Sequence, residues 1–298
     1  MRTELARPWR RIARDAAVVT GLIFAAYLFI VSAGQKGSMA FDVVAYWQLD
    51  LGNPYTASVG DLGFFPYSPA IALLIAPFTQ LPWLVFVSGW YALLIAAIAW
   101  LGRRDVLALL AFPPVAIDLY HGNIHLLLAV AIVLGFRHPA AWAFVLLTKV
   151  TPGIGLLWFA ARGEWRRLGL ALGATAAICA VTFVLLPVQW IGWVQMILGS
   201  AGTPPPWPAL PIPLWLRLPV AALIVVWGAR TDRMWAVPLS AALALPALWP
   251  GGFAILAACW RLRAAPADYH APDAVRPGER ATVSLATRAQ PGTRPRPA

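Results

Sequence analysis

Long apolar stretches alternate with short polar or arginine-rich breaks along most of this chain. The first apolar stretch, residues 16–32, follows several arginines and lacks a small-residue cleavage pattern, so we expect a retained transmembrane helix. Arginines then recur in short clusters between apolar stretches: Arg103 and Arg104, Arg137, Arg162, Arg166 and Arg167, Arg230 and Arg233, and Arg261 and Arg263. If every cluster is cytoplasmic, an even number of crossings separates each neighbouring pair.

This parity argument predicts an all-α, polytopic transmembrane helical bundle of about ten crossings plus a half-helix. Residues 68–79 are too short to span a bilayer and form the half-helix, which precedes a crossing at residues 82–101. The expected hairpins are 106–136, 140–161 and 235–260, which turn at 118–123, 148–152 and 250–252, and the single crossings are 168–186 and 214–229. Prolines inside such short helices are tolerated where the backbone faces protein or a wet cavity.

The predicted organisation has three parts. Residues 1–15 form a cytoplasmic N-terminus, and residues 16–263 form the membrane domain. Two large external loops are expected within that domain, at residues 33–67 and 187–213. From residue 264 to 298 the chain is rich in Pro, Arg and Ala without periodicity, which predicts a disordered cytoplasmic tail.

Composition agrees with a membrane protein, since 60% of the residues are hydrophobic, 12% are charged and 16 are tryptophan. The net charge of +11 belongs to the cytoplasmic side under this topology, so it gives no reason to expect a nucleic-acid partner. On the external side the predicted cations are Lys36, Lys149, Arg217 and the histidines His121 and His125. The external acids are Asp42, Asp50, Asp61 and Asp118.

Asp42 is the candidate catalytic group, because it follows the first helix and precedes a run of aromatics and prolines within about 25 residues. Asp50 and Asp61 are interpreted as ordinary loop acids. A second polar cluster, at the turn of the 106–136 hairpin, contains Asp118, His121 and Asn123. We find neither metal-ligand spacing nor a phosphate-binding glycine loop, so we expect no metal, no cofactor and no nucleotide-sugar donor.

Two blocks of the sequence resemble glycosyltransferase family 87, a group of polyprenyl-phosphate-sugar-dependent enzymes in the GT-C superfamily. The first block contains Asp42, Tyr46, Gly-x-Pro-Tyr at 52–55, Phe-x-Tyr-x-Pro at 65–69 and a short apolar helix that ends at Pro82. The second contains Gly122-Asn123, the segment Leu-Thr-Lys-Val-Thr-Pro-Gly at 147–153 and a basic exit at 162–167. The resemblance covers residues 42–167 and is architectural beyond them.

The resemblance implies a GT-C-like plasma-membrane enzyme with both termini in the cytoplasm. It transfers a sugar, expected to be mannose, from a polyprenyl phosphate to a lipid-linked or cell-envelope glycan on the external side. Arabinofuranose is the alternative sugar. Such a reaction needs a base for the acceptor hydroxyl and donors for the leaving phosphate. The implied roles are Asp42 as base, Lys149 and His121 at the phosphate, and Tyr46, Tyr67, Asp118 and Asn123 as substrate contacts.

Plainer roles remain open for most of these residues. Lys149 is also compatible with snorkelling to the interface, the cluster around Asp118 with helix capping, and the tyrosines with packing or interface anchoring. Four tryptophans are candidates for an acceptor groove or for belt residues: Trp190, Trp193, Trp207 and Trp215. A transporter of lipid-linked or small polar substrates is the rival class, and a catalytically inactive scaffold is a third possibility. Oligomeric state is not indicated by the sequence.

Overall fold

The computed structural model describes residues 2–200 and 208–263, and this part of the chain is all-helical. The α-helices are α1 (Arg2–Tyr27), α2 (Ala33–Lys36), α3 (Phe41–Trp47), α4 (Pro69–Ile75), α5 (Trp83–Gly102), α6 (Val106–Leu110), α7 (Pro113–His121), α8 (His125–Gly135), α9 (Trp142–Thr148), α10 (Leu157–Ala161), α11 (Trp165–Leu185), α12 (Pro187–Ser200), α13 (Leu214–Arg230), α14 (Ala236–Leu243) and α15 (Ala258–Arg263). A π-helical segment, Leu28–Ser32, joins α1 to α2. Tight 3-10 turns occupy Ala76–Phe78, Arg103–Asp105, Pro139–Ala141, Thr151–Leu156 and Pro250–Ala257.

Within the described residues, three helical stretches are long and apolar enough to cross a membrane: Arg11–Gln35, Trp83–Leu110 and Trp165–Leu185. The pair α7 and α8 makes a fourth if it is counted as one span, and its two helices are bent by 116°. The prediction of an all-α protein with membrane-capable helices is therefore confirmed for the described residues. The other predicted crossings fall on shorter helices, and their number stays a prediction.

Half-length helices occur where the sequence predicted them. The half-helix at 68–79 is α4 followed by the 3-10 turn Ala76–Phe78, with a proline at the start of each. The short hairpin at 140–161 breaks after Thr148, where α9 ends, and the 3-10 turn Thr151–Leu156 begins the return. Proline starts such a segment well because its fixed φ is already helical and its missing N–H needs no partner in a first turn.

The same property of proline explains two differences from prediction. Residues 187–213 were predicted as a loop, but their first part is the helix α12, which begins at Pro187. The hairpin expected to turn at Pro250 turns earlier, over residues 244–249, because Pro250 begins the returning 3-10 segment. In both places a proline that was interpreted as a turn is the first residue of a helix. The predicted tail, 264–298, lies beyond the described residues.

The arginine clusters converge on one end of the bundle. Arg14 bonds Asp105 at 3.0 Å, and Arg167 donates to the carbonyl of Phe136 at 2.9 Å. Arg162 bonds both Glu164, at 2.8 Å, and Asp232. Arg261 stacks over the ring of Trp100 at 4.6 Å, next to the cluster at 103–105. These contacts bring residues of several arginine clusters together, in agreement with the parity argument. We call this end the basic end.

The polar turns predicted to be external meet at the other end of the same helices. Helix α8 begins at His125 and ends beside Phe136 of the basic end, while α9 runs back and ends at Thr148. The N–H of Ser68 bonds the carbonyl of Leu147 at 3.1 Å, and that of Ala40 bonds Tyr120 at 3.0 Å. The first loop is therefore tied to the turns at 118–123 and 148–152. We call this end the site end.

Candidate functional site

Asp42 lies in the first turn of α3, a short helix that packs against α5 and α7. Ala40, the residue before α3, has a φ of 60°, in the left-handed region, and so turns the chain into the helix. The backbone bond from Ala40 to Tyr120 fixes this reversal to the end of α7. A carboxylate in a first helical turn is favoured by the positive end of the helix dipole. The local fold thus aims an acid at the second polar cluster.

The environment of Asp42 suits a base. Its side chain is partly exposed and accepts a hydrogen bond from the Asn123 side chain. Its pKa is raised from 3.8 to about 6, chiefly because burial desolvates the carboxylate, and the nearby charge of Asp118 acts in the same direction. The bond from Asn123 and the charge of Lys149 lower it. At neutral pH the carboxylate is therefore charged, yet more basic than an aspartate in water.

Lys149 comes from the break between α9 and the 3-10 turn Thr151–Leu156. Its ammonium group lies 5.7 Å from the centre of the Tyr67 ring, a cation–π distance. The side chain is partly buried and interacts electrostatically with both Asp42 and Asp118. The structure therefore brings the cation to the same cluster as the candidate base, and the lysine does not point away to the surface.

Tyr46 and Tyr67 form an aromatic wall behind Asp42. Their hydroxyls bond each other at 3.0 Å, and both side chains are buried. Tyr46 also packs on Trp90, whose ring centre lies 4.7 Å away, and Tyr55 donates to the Tyr67 carbonyl at 2.9 Å. Burial raises the pKa of both hydroxyls. Both hydroxyls are therefore neutral, and each has the other as a hydrogen-bond partner.

Asp118 and His125 form a buried pair at the bend between α7 and α8. One carboxylate oxygen of Asp118 lies 2.8 Å from Nδ1 of His125, and the other accepts the N–H of Leu126 at 3.1 Å. Both oxygens are thus engaged within the protein. His121, at the end of α7, is partly exposed and packs against the Tyr120 ring. It interacts electrostatically with Asp118.

The sequence of this chain matches a known protein family. The model of glycosyltransferase family 87 matches residues 64–276, more than half of the chain. The chain belongs to glycosyltransferase family 87. No curated protein and no solved structure matched it. Family 87 membership makes the protein a membrane glycosyltransferase.

The family 87 match covers most of the site but not its candidate base. Tyr67, Asp118, His121, Asn123 and Lys149 lie inside the matched range, whereas Asp42 and Tyr46 precede it. The first loop is instead joined to the matched region by the backbone bond from Ala40 to Tyr120 and by the Asn123 side chain.

Two predicted external cations are engaged elsewhere in this glycosyltransferase. Arg217 is buried, and its guanidinium donates to the carbonyls of Ile212, Leu243, Leu245 and Pro246 at 2.6–3.1 Å. The sequence placed it among cations available to a phosphate, but these bonds make it a clamp on the turn at 244–249. His125 was in the same group and is bonded to Asp118. The side chain of Lys36 is not described.

The remaining candidates lie around the site. Asp50 and Asp61 are exposed and bond their own loop, at the N–H groups of Gly52 and Ser58. Trp193 of α12 donates to the Pro66 carbonyl at 3.1 Å and packs edge-on against Trp190. Trp215 is 70% exposed, and Trp207 falls in the undescribed stretch 201–207. Sequence reasoning missed the role of α12, which the absence of proline between residues 188 and 200 could have indicated.

Proposed function

We propose that this family 87 enzyme transfers a sugar, most simply mannose, from a polyprenyl phosphate to a hydroxyl of a lipid-linked or cell-envelope glycan. Arabinofuranose transfer by the same mechanism is the alternative. The observation that carries the proposal is that Asp42, a partly exposed carboxylate, and the cation Lys149 lie in one cluster and interact electrostatically. A base and a cation in one site are what acceptor activation and phosphate departure require.

In the proposed reaction Asp42 removes the proton from the acceptor hydroxyl. The acceptor oxygen forms a bond to the anomeric carbon as the bond from that carbon to the phosphate oxygen breaks. Polyprenyl phosphate leaves with the electron pair. Lys149, assisted by His121, stabilises the negative charge that develops on the phosphate. A single displacement of this kind inverts the anomeric configuration. The donor is itself the activated sugar, so the step needs no further cofactor.

The proposed topology puts this chemistry on the external side of the plasma membrane. The basic end then faces the cytoplasm with both chain termini, in accord with the positive-inside rule. About ten crossings result when the short helices of the site end are counted as membrane-embedded. The broken helices near Lys149 and Asn123 fit a site at a wet cavity, where irregular backbone is tolerated. Partners are the lipid-linked donor, the glycan acceptor and the bilayer.

Sugar transfer in proteoliposomes tests the proposal. Purified wild type is supplied with radiolabelled polyprenyl-phosphate mannose, or the arabinose form, and a lipid extract of the host. We expect a labelled glycolipid, and Asp42→Asn should slow its formation by about 10² to 10⁴, the scale of a lost general base. Asp50→Asn is the matched control, because Asp50 is an exposed acid of the same loop, and it should retain wild-type rates.

Each other outcome has a defined meaning. Full activity of Asp42→Asn refutes the assignment of the base while leaving the enzyme class intact. No label with either donor sugar refutes the proposed donor. Movement of a lipid-linked sugar across the bilayer without a labelled product would favour the hypothesis that the protein is a transporter.

A further inference from the structure

The buried pair of Asp118 and His125 has no direct part in the proposed sugar transfer, yet it lies one hydrogen bond away from the residue that contacts Asp42. The pair closes the 116° bend between α7 and α8. Asp118 sits in the last turn of α7, and its carboxylate reaches forward to His125 and to the N–H of Leu126 in the first turn of α8. One side chain therefore holds both ends of the intervening turn, residues 122–124.

Asn123 is the middle residue of that turn. Its N–H bonds the Asp118 carbonyl at 3.0 Å, and its side-chain oxygen accepts the N–H of Ile124 at 2.7 Å. Because the oxygen is occupied in this way, the amide nitrogen is the atom left to donate to Asp42. The orientation of Asn123 is thus fixed by the turn, and the bond to Asp42 depends on that orientation.

The turn is held from the other sides as well. Gly122 adopts a φ of 71°, and the indole of Trp90 donates to its carbonyl at 2.7 Å. Behind the pair, Gly252 of the returning 3-10 segment faces the ring, since a Cβ atom added there would lie 3.8 Å from Nε2 of His125, an ordinary contact distance. The His125 side chain is buried. A buried, hydrogen-bonded ring restricts the position of the carboxylate that it bonds.

We infer that His125 is a positioning residue of the glycosyltransferase site: through Asp118 it holds the turn that presents Asn123 to Asp42. This inference rests on the proposed role of Asp42 as the base. His125 itself is 3% exposed, so it acts through Asp118. Its effect is to keep the carboxylate of Asp42 in one orientation, and small misplacements of a reacting group cost rate steeply.

Three variants separate positioning from general stability. His125→Ala removes the group that bonds Asp118, whereas His125→Asn retains a side-chain nitrogen near the position of Nδ1. Ile132→Ala is the matched control, because Ile132 is fully buried two turns further along α8 and lies seven residues from His125. It loosens the same helix without touching the bend.

Steady-state transfer is measured for each variant, normalised to the folded fraction. We expect His125→Ala to lower kcat by about 10- to 100-fold with KM nearly unchanged, on the scale of a misplacement of about 1 Å. His125→Asn should recover most of this loss, and Ile132→Ala should keep wild-type kcat. Equal losses of kcat in His125→Ala and Ile132→Ala, or a loss confined to KM, would overturn the inference.

A second readout does not depend on turnover. Infrared difference spectra of wild type against Asp42→Asn isolate the protonation of the Asp42 carboxyl group. The titratable groups around it are Asp118, Lys149, Tyr46, Tyr67 and Tyr91. Since the bond from Asn123 lowers the pKa of Asp42, its loss in His125→Ala should move the titration to higher pH, and Ile132→Ala should not move it.

The two readouts distinguish the ways of failing. If wild type transfers no sugar but the infrared titration moves as expected, the proposed donor is wrong and the positioning stands. If wild type is active and the titration is unchanged in His125→Ala, the positioning is refuted and the proposed function stands.

Discussion

Replacing Asp42 by asparagine should make this glycosyltransferase more stable at neutral pH while it removes the base. The carboxylate is held in a desolvated place, where burial raises its pKa from 3.8 to about 6. Each tenfold change in acidity corresponds to about 1.4 kcal/mol, so the charged form of Asp42 costs the folded protein about 3 kcal/mol. Asparagine is nearly isosteric, carries no charge and can still accept the bond from Asn123.

The sign of the pH dependence follows from proton linkage. Between pH 3.8 and about 6 the folded protein binds a proton at Asp42 that the unfolded chain releases. The free energy of unfolding therefore falls as the pH rises through this window, and the full cost is present above pH 6. In the asparagine variant this contribution is absent. Its advantage over wild type should be near zero at pH 4 and greatest at pH 7 and above.

Unfolding in detergent micelles, followed by tryptophan fluorescence, measures the difference. The comparison is Asp42→Asn against wild type from pH 4 to pH 8, with Asp50→Asn as the control for an exposed acid of the same loop. A variant that is less stable than wild type at pH 7, or an advantage that does not change with pH, would refute the desolvation argument. A catalytic base that lowers the stability of the fold is expected, because functional sites commonly sacrifice stability for activity.

Three further predictions concern the rate, the cation and the clamp. The transfer rate should fall about tenfold per pH unit below pH 6, since only the charged form of Asp42 accepts a proton; kcat/KM from pH 5 to pH 8 measures it, and a flat profile contradicts it. Lys149→Met should lower kcat by at least about 10²-fold if its charge stabilises the departing phosphate, with partial recovery in Lys149→Arg; unchanged kcat would favour a packing role. Arg217→Met should lower thermal stability, because each buried carbonyl left unpaired costs about 1–3 kcal/mol; calorimetry tests this, and loss of activity without loss of stability would argue against a clamp.

Hydropathy and charge predicted which segments meet, because both report the solvent that each segment faces. Asp42, Asn123 and Lys149 come from three distant parts of the chain, and the parity of the arginine clusters alone places them at one end. The structure brings them together. Neither hydropathy nor charge predicts which polar atoms bond each other at that end.

Which polar groups bond each other depends on the geometry of the broken helices, and the sequence does not show this geometry. Arg217 is a cation by composition, but the irregular turn at 244–249 supplies carbonyls that no helix satisfies, and these take up its guanidinium. His125 resembled an available external cation, yet the bend after Gly122 turns it onto Asp118. Arg217 is drawn inward by backbone carbonyls left without helical partners, and His125 by the carboxylate of Asp118 at the bend.

The broken helices explain how one bundle keeps its two ends chemically distinct. Helices α8, α9 and α10, with the 3-10 turn before α10, run between the basic end and the site end, and their breaks lie at the site end. A break leaves backbone groups without helical partners, and inside a membrane domain these must be satisfied by side chains or by water. The polar residues that satisfy them, Asp118 above all, create a field in which Asp42 is held charged but destabilised. The residues that satisfy the broken helix are therefore also the ones that hold the strong base. Variants of His125 and Ile132, both on α8, separate the structural role from the chemical one.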